Sequence, residues 1–226
     1  MKKLFILALS VIALATSCVK VDHAEGQKVT YYPIITLQGD NPYITSVGGS
    51  YVDPGYTATL NGEDVSDIVT LDSTVDMSEM GLYDVTYTAT NEDGFSASEK
   101  RTVIVANPGH IDTVYESYVQ YSGRSFKNPF VLEETAPGQY FIKDIMGGYY
   151  CLGRYPGYDA YGYDFWAEGS FSINGDNSLT LLNVGSWYFK SNFDYSTFTG
   201  SYDPATGIIK WTIEGNFSVT LTPYSN

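Results

Sequence analysis

Basic residues, cysteine and histidine are scarce in this 226-residue chain. Twelve Lys and Arg stand against 26 Asp and Glu, for a formal net charge of -14. Nucleic-acid binding draws on clustered cations, and none occur here, so that class of partner is excluded. Two cysteines cannot build a disulfide framework, and two histidines leave little for a zinc centre or a histidine-based triad. Charged residues make up 17% of the chain and hydrophobic ones 43%, which excludes wholesale disorder. A Gly-x-Ser-x-Gly elbow, a His-Glu-x-x-His helix and a phosphate loop are all missing. His23 and His110 fall in polar connecting segments. The residues therefore call for no cofactor, no metal and no catalysis.

What is present begins with an address. Lys2 and Lys3 precede an apolar run over 4–15, closed by Thr16, Ser17 and Cys18. A positive start, roughly a dozen apolar residues and a small-residue end predict a secretory signal over 1–18. The run is shorter than the about 20 apolar residues that span a bilayer. Ala15-Thr16-Ser17-Cys18 resembles a bacterial lipobox, with Ala15 where Leu is commoner. The resemblance implies cleavage before Cys18 and lipidation of that residue, which would anchor the chain to a membrane. Loss of Lys2 and Lys3 makes the mature chain more acidic still, so the lipid rather than charge must supply attachment. Residues 19–29 are polar and read as a tether.

Beyond residue 18 no sustained stripe has helical spacing; alternation dominates. In 82–89 the set Tyr83, Val85, Tyr87 and Ala89 falls on one face, as in a half-buried antiparallel strand. Arg101 to Val105 reads as another. Gly48-Gly49, Asp53-Pro54-Gly55, Asn61-Gly62 and Glu92-Asp93-Gly94 punctuate this region as turns, so 30–106 is expected to be a small β-sandwich. Composition shifts after Asn107-Pro108-Gly109. Residues 19–109 hold seven Tyr, one Phe and no Trp, against fourteen Tyr, nine Phe and all three Trp in 110–226. Such a change marks a linker at 107–111 and a second domain over 112–226. Strands are expected there at 130–134, 139–145, 166–173, 178–184, 197–202, 208–214 and 217–222, joined by short hairpin loops. The fold class is thus all-β: a sandwich followed by an antiparallel meander, closed as a barrel or folded as a second sandwich.

The stretch 35–105 resembles the immunoglobulin-like repeats of Bacteroidota surface lipoproteins. Gly39-Asp40-Asn41-Pro42, Val47-Gly48, Tyr51, Asp53-Pro54-Gly55, Ala58, Val75-Asp76 and Gly81 carry the likeness, with Tyr83, Val85, Tyr87, Ala89, Gly94, Ala97, Arg101, Val103 and Val105. Asn91 stands where Asp is usual. The resemblance implies an immunoglobulin-like sandwich at the cell surface, serving as spacer or docking surface. By domain order and aromatic content the second domain is similar to the aromatic β-domain of lipoproteins encoded with starch-utilisation-type, TonB-dependent nutrient importers. That implies outer-membrane importer proteins as partners, an oligosaccharide or peptide ligand, and display at the outer membrane. It also suggests O-glycosylation at Asp72-Ser73-Thr74 and Asp112-Thr113-Val114.

The most unusual segment is 149–166, with six Tyr, a Phe and a Trp among three Gly and a Pro. Gly and Pro at this density predict a loop. Tyrosine offers a flat apolar face with a hydroxyl at little entropic cost, suited to sugar rings and extended peptides. Trp187-Tyr188 and Tyr195 form a second aromatic group; Tyr149, Arg154, Tyr155, Tyr158, Tyr161, Tyr163 and, from that group, Trp187 are the candidate ligand-binding residues. Trp166, Phe165 and Trp211 lie in or beside alternating strands and are expected in the core, as is Cys151. Two rival readings stand beside capture of a nutrient. The aromatic face could bind a partner protein in adhesion or assembly. Paired acids, Asp164 and Glu168, could serve a glycoside hydrolase, whereas adjacent Glu133 and Glu134 would point to opposite faces of a strand. Asp and Asn in the sandwich turns could also hold calcium.

Overall fold

A computed structural model describes residues 29–189 and 193–224. The expected signal, lipidated Cys18 and all but the last residue of the tether lie outside these residues. The regular structure of the described residues is almost entirely strand, with only short 3₁₀ and π turns beside it. Seven strands form the first module: β1 (Ile34–Leu37), β2 (Tyr43–Ser46), β3 (Tyr56–Leu60), β4 (Glu63–Asp64), β5 (Val69–Ser73), β6 (Gly81–Thr90) and β7 (Ser96–Ala106). They make two sheets, β1-β3-β4 and β2-β7-β6-β5, with β2 parallel to β7 and the other pairs antiparallel. Alternation along β6 turns Val85, Tyr87 and Ala89 fully inward, where they meet Ile35, Ala58, Val103 and Val105. Tyr83 packs at the margin of this core.

One charged side chain sits inside it. Arg101 is fully buried, a costly position for a cation unless every donor is used. Its guanidinium donates to the carbonyls of Asp40, Gln38 and Gly55, and Nε donates to the Tyr87 hydroxyl at 3.2 Å. Tyr87 in turn donates to Asp53 Oδ2 at 2.8 Å, while Asp53 Oδ1 accepts from Gly55 N–H. The Asp53-Pro54-Gly55 turn is thereby tied to both sheets.

Eight strands form the second module: β8 (Val114–Tyr121), β9 (Arg124–Ala136), β10 (Gln139–Ile142), β11 (Gly169–Ile173), β12 (Leu179–Val184), β13 (Thr199–Asp203), β14 (Ile208–Ile213) and β15 (Phe217–Pro223). Their order is β12-β11-β10-β9-β8-β15-β14-β13. The two outer strands meet through a Ser178–Ser201 bridge and a hydrogen bond from Tyr202 N–H to the Asn177 carbonyl at 2.9 Å. The sheet is therefore a nearly closed barrel, which resolves the choice that the meander pattern left open. Gly200 permits the approach: a Cβ there would lie 2.6 Å from the Lys210 carbonyl and 2.8 Å from Leu179 Cδ1. Trp211, Phe171, Phe217, Leu132, Ile142 and Val219 fill the interior. The indole of Trp211 donates to the Ile145 carbonyl at 2.9 Å.

β8 was not among the expected strands. Its inward row includes Ser117, whose hydroxyl donates to the Gly147 carbonyl, so the apolar alternation is broken where the barrel needs a polar contact. The expected strands at 139–145 and 166–173 are both shorter than their apolar residues suggest. The chain leaves β10 at Ile142 and enters β11 only at Gly169.

The modules share a small core of their own. Ile104, Ala106 and Val114 are fully buried together, with Ile44, Val131 and Tyr224 against them. Between the two strands, Asn107 N–H donates to Thr113 Oγ1 at 2.7 Å, and Leu132 N–H to the Thr113 carbonyl. Thr113 is fully buried with that hydroxyl engaged, so the Asp112-Thr113-Val114 pattern offers no accessible acceptor for a sugar. Ser73 at the end of β5 is exposed.

Candidate functional site

The connection from β10 to β11, residues 143–168, covers one mouth of the barrel. Its anchor is Asp144, fully buried. One carboxylate oxygen accepts from Met146 N–H at 3.0 Å and Ala167 N–H at 3.2 Å; the other accepts from Gly148 N–H at 2.9 Å and the Cys151 thiol at 3.2 Å. One side chain thus clasps both ends of the connection. Burial pushes the Asp144 carboxyl up from its ordinary 3.8 to about 6, with these donors pulling the other way. Burial likewise pushes the Cys151 thiol up, reinforced by the neighbouring carboxylate. Cys151 is half-buried and free, and so held as a thiol rather than a nucleophilic thiolate.

Two glycines let the chain dive into the mouth. Gly147 and Gly148 have φ of 61° and 80°, and a Cβ on Gly148 would stand 2.8 Å from Asn128 Nδ2 and 2.9 Å from the Phe130 ring. A turn of π-helix follows (Tyr149–Arg154), then a 3₁₀ turn (Tyr158–Tyr161) bracketed by left-handed Gly157 and Gly162. Such a backbone has no strand or helix periodicity, so it sorts its rings by position rather than by alternation.

The sorting divides the candidate residues into two groups. Tyr149 is buried, its hydroxyl donating to the Tyr121 carbonyl at 3.1 Å and its ring wedged among Phe126, Tyr121 and Phe217. Trp187 is buried as well, its indole N–H donating to the Phe165 carbonyl at 2.9 Å. Both belong to the barrel core rather than to a ligand-facing surface, because each finds inside the barrel a partner for its polar atom. Tyr158, Tyr161 and Tyr163 face water, with Tyr161 79% exposed. Tyr155 is half-buried, and exposed Arg154 lies with its guanidinium 5.0 Å from the Tyr155 ring centre.

These rings form one shelf. Tyr163 stacks on Phe165 (6.1 Å, 11°), which stacks on Phe189 (5.2 Å, 12°). Tyr158 contacts Tyr155, Tyr161 and Tyr163. Phe165 is buried, as expected, and props the shelf from within; the connection after β12 adds Tyr188, edge-on to both Phe165 and Tyr163. Tyr188 belongs to the second aromatic group that the sequence marked, whereas Phe189 was not among the candidate residues. More than twenty residues separate them from Phe165, and the antiparallel pairing of β11 with β12, Gly169 opposite Val184 and Gly185 N–H on the Glu168 carbonyl, brings them there. A recess of about 190 Å³ opens beside the shelf, lined by Leu152, Tyr155, Asp159, Tyr163, Phe165 and Trp166.

The expected acid pair does not form a constellation. Asp164 Oδ1 accepts from Trp166 N–H at 3.0 Å in a local turn, and 164–168 is not a strand, so even spacing carries no shared face. Trp166 departs from the core expectation: it is half-buried, set edge-to-face with Phe130, and carries Lys143 Nζ 4.3 Å from its ring centre. Trp211 is in the core.

Comparison with known proteins agrees with this architecture. The pattern of bacterial surface protein Ig-like domains matches residues 35–105, and that of BT2262-like C-terminal domains matches residues 72–223. Among solved structures, the lipoprotein BT2262 from Bacteroides thetaiotaomicron matches with 30% identity and a TM-score of 0.56, over 84% of this chain and 98% of that one. Two structures from Clostridium perfringens ZmpB match far more weakly. One holds the M60 catalytic domain with CBM51-1 and CBM51-2 (16% identity, TM-score 0.29, 80% of this chain and 14% of that one). The other holds CBM51-2 in complex with GlcNAc and INT domains (13%, 0.28, 84% and 43%). Likenesses that low bear on neither fold nor ligand. No curated protein matches the chain.

Proposed function

Since the chain belongs to the BT2262-like family of bacterial surface lipoproteins, we propose that it is a non-catalytic capture protein, tethered to the outer membrane through Cys18. It serves as an accessory to a nutrient importer, holding oligosaccharide or peptide on the tyrosine shelf. The observation that carries this reading is the exposed group Tyr158, Tyr161, Tyr163 and Tyr188, stacked before any ligand arrives on buried Phe165 and half-buried Phe189. Pre-stacked rings lose little further freedom on binding, and their hydroxyls supply orientation. Arg154 and Asp159 stand at the rim as polar contacts.

The test is a panel of glycans and peptides titrated against the chain with both modules, which share a core, in parallel with a Tyr158→Ala, Tyr161→Ala, Tyr163→Ala variant. The variant should lose binding while unfolding within about 1 kcal/mol of the parent, as expected for largely exposed positions. Loss of stability with binding retained would refute it. A stoichiometric partner recovered from solubilised outer membrane, with no glycan or peptide bound, would give the shelf to protein assembly instead.

A further inference from the structure

A groove of about 620 Å³ lies not on the shelf but between the modules. Leu82 and Thr102 of the sandwich form one wall; Val131 and Phe141, on the outward side of the barrel, form the other. Its shape is held open by the shared core. Leu82 pairs with buried Ile104, and Val131 packs on the same cluster. The volume lies within the about 300–1,000 Å³ usual for small-ligand sites.

The charges in the groove are unevenly satisfied. Lys100 is matched by Asp84, Nζ to Oδ2 at 3.1 Å. Glu133, Glu168 and Lys143 have no ion-pair partner among the described residues, although all three line the groove and register sets Phe141 opposite Glu133. Instead of a carboxylate, the Lys143 ammonium takes the face of Trp166, 4.3 Å from the ring centre. An indole face flanked by carboxylates attracts a cation through its quadrupole, and the chain's own lysine shows that an ammonium fits there. Lys143 is exposed and free to swing into water, which would leave two carboxylates and an open ring.

We propose that this groove binds an extended basic peptide segment, one lysine or arginine of which displaces Lys143 from Trp166 and sits between Glu133 and Glu168. Apolar Leu82, Val131 and Phe141 take the methylene stem and neighbouring side chains. The proposal does not depend on the tyrosine shelf.

The probe is a peptide of alternating lysine and glycine, titrated calorimetrically at low salt against the two-module chain. A glutamate–glycine peptide and a neutral glucose oligosaccharide serve as comparisons. Trp166→Leu should weaken lysine-peptide binding about tenfold or more, and Glu133→Gln with Glu168→Gln by a similar factor. Lys143→Ala should tighten it about three- to tenfold, because the resident ammonium no longer competes. Lys210→Ala removes the same charge from the exposed side of β14 and controls for simple attraction to an acidic chain. It should change affinity by less than twofold. Equal effects of the two lysine variants, or undiminished binding to Trp166→Leu, would overturn the site. So would equal affinity for the glutamate peptide or the oligosaccharide. Should Trp166→Leu fail to fold, the comparison of Lys143→Ala with Lys210→Ala decides alone.

Discussion

Replacement of Asp144 by Asn removes the clasp of the mouth connection without changing its size. At pH 7 the carboxylate accepts from three N–H groups and one thiol. Asparagine keeps one oxygen, sufficient for Met146 and Ala167, and turns an NH₂ toward Gly148 N–H and the Cys151 thiol. A buried donor without an acceptor costs about 1–3 kcal/mol, the thiol less, while loss of a buried charge returns part of it. The variant should therefore be destabilised by about 1–3 kcal/mol at pH 7. Its pH dependence is the sharper quantity. The native carboxyl is raised from 3.8 to about 6, so the folded state holds a proton that the unfolded state has released. Stability from this group is fully present below about pH 4 and is lost as pH rises through about 6. Between pH 7 and pH 4.5 the parent gains about 2 kcal/mol that Asp144→Asn cannot. Urea unfolding of both proteins at the two pH values gives the difference directly, since the exposed carboxylates titrate alike in each and cancel. A gap between parent and variant that stays constant within about 0.5 kcal/mol from pH 7 to 4.5 would refute the raised pKa. A gap that narrows would reverse its sign.

Three further outcomes follow from the same geometry and are read by equilibrium unfolding. Gly148→Ala should cost about 2–4 kcal/mol, from a positive φ and a Cβ against Asn128 and Phe130. Arg101→Met should cost about 3–5 kcal/mol, because the carbonyls of Gln38, Asp40 and Gly55 lose their donor inside the sandwich. Trp187→Phe should cost about 1–3 kcal/mol through the lost bond to the Phe165 carbonyl and the space left behind. It should also loosen the shelf, seen as altered near-ultraviolet circular dichroism.

Strand alternation and turn residues were legible because each is local. The inward set Val85, Tyr87 and Ala89 follows from a period of two, and Asn61-Gly62 joins β3 to β4 with φ of 52° and 85°, as such a pair predicts. The change in aromatic content after residue 109 falls between β7 and β8. In 143–168 that logic stops. Glycines in left-handed conformations uncouple side-chain direction from residue number, so Tyr149 and Tyr158, alike in sequence context, end in opposite environments.

The amino-acid order alone determined that the chain is all-β, that it is strongly acidic, and that many of its tyrosines gather in one glycine-rich stretch. Tertiary structure decided the rest: closure of the sheet through Ser178 and Ser201, delivery of Tyr188 to Phe165, and burial of Trp187. It also placed Trp166, Glu133 and Glu168 around a groove that exists only where two modules meet. Periodicity records which way a side chain points along one strand, whereas the neighbours it meets are set by contacts between segments far apart in the chain.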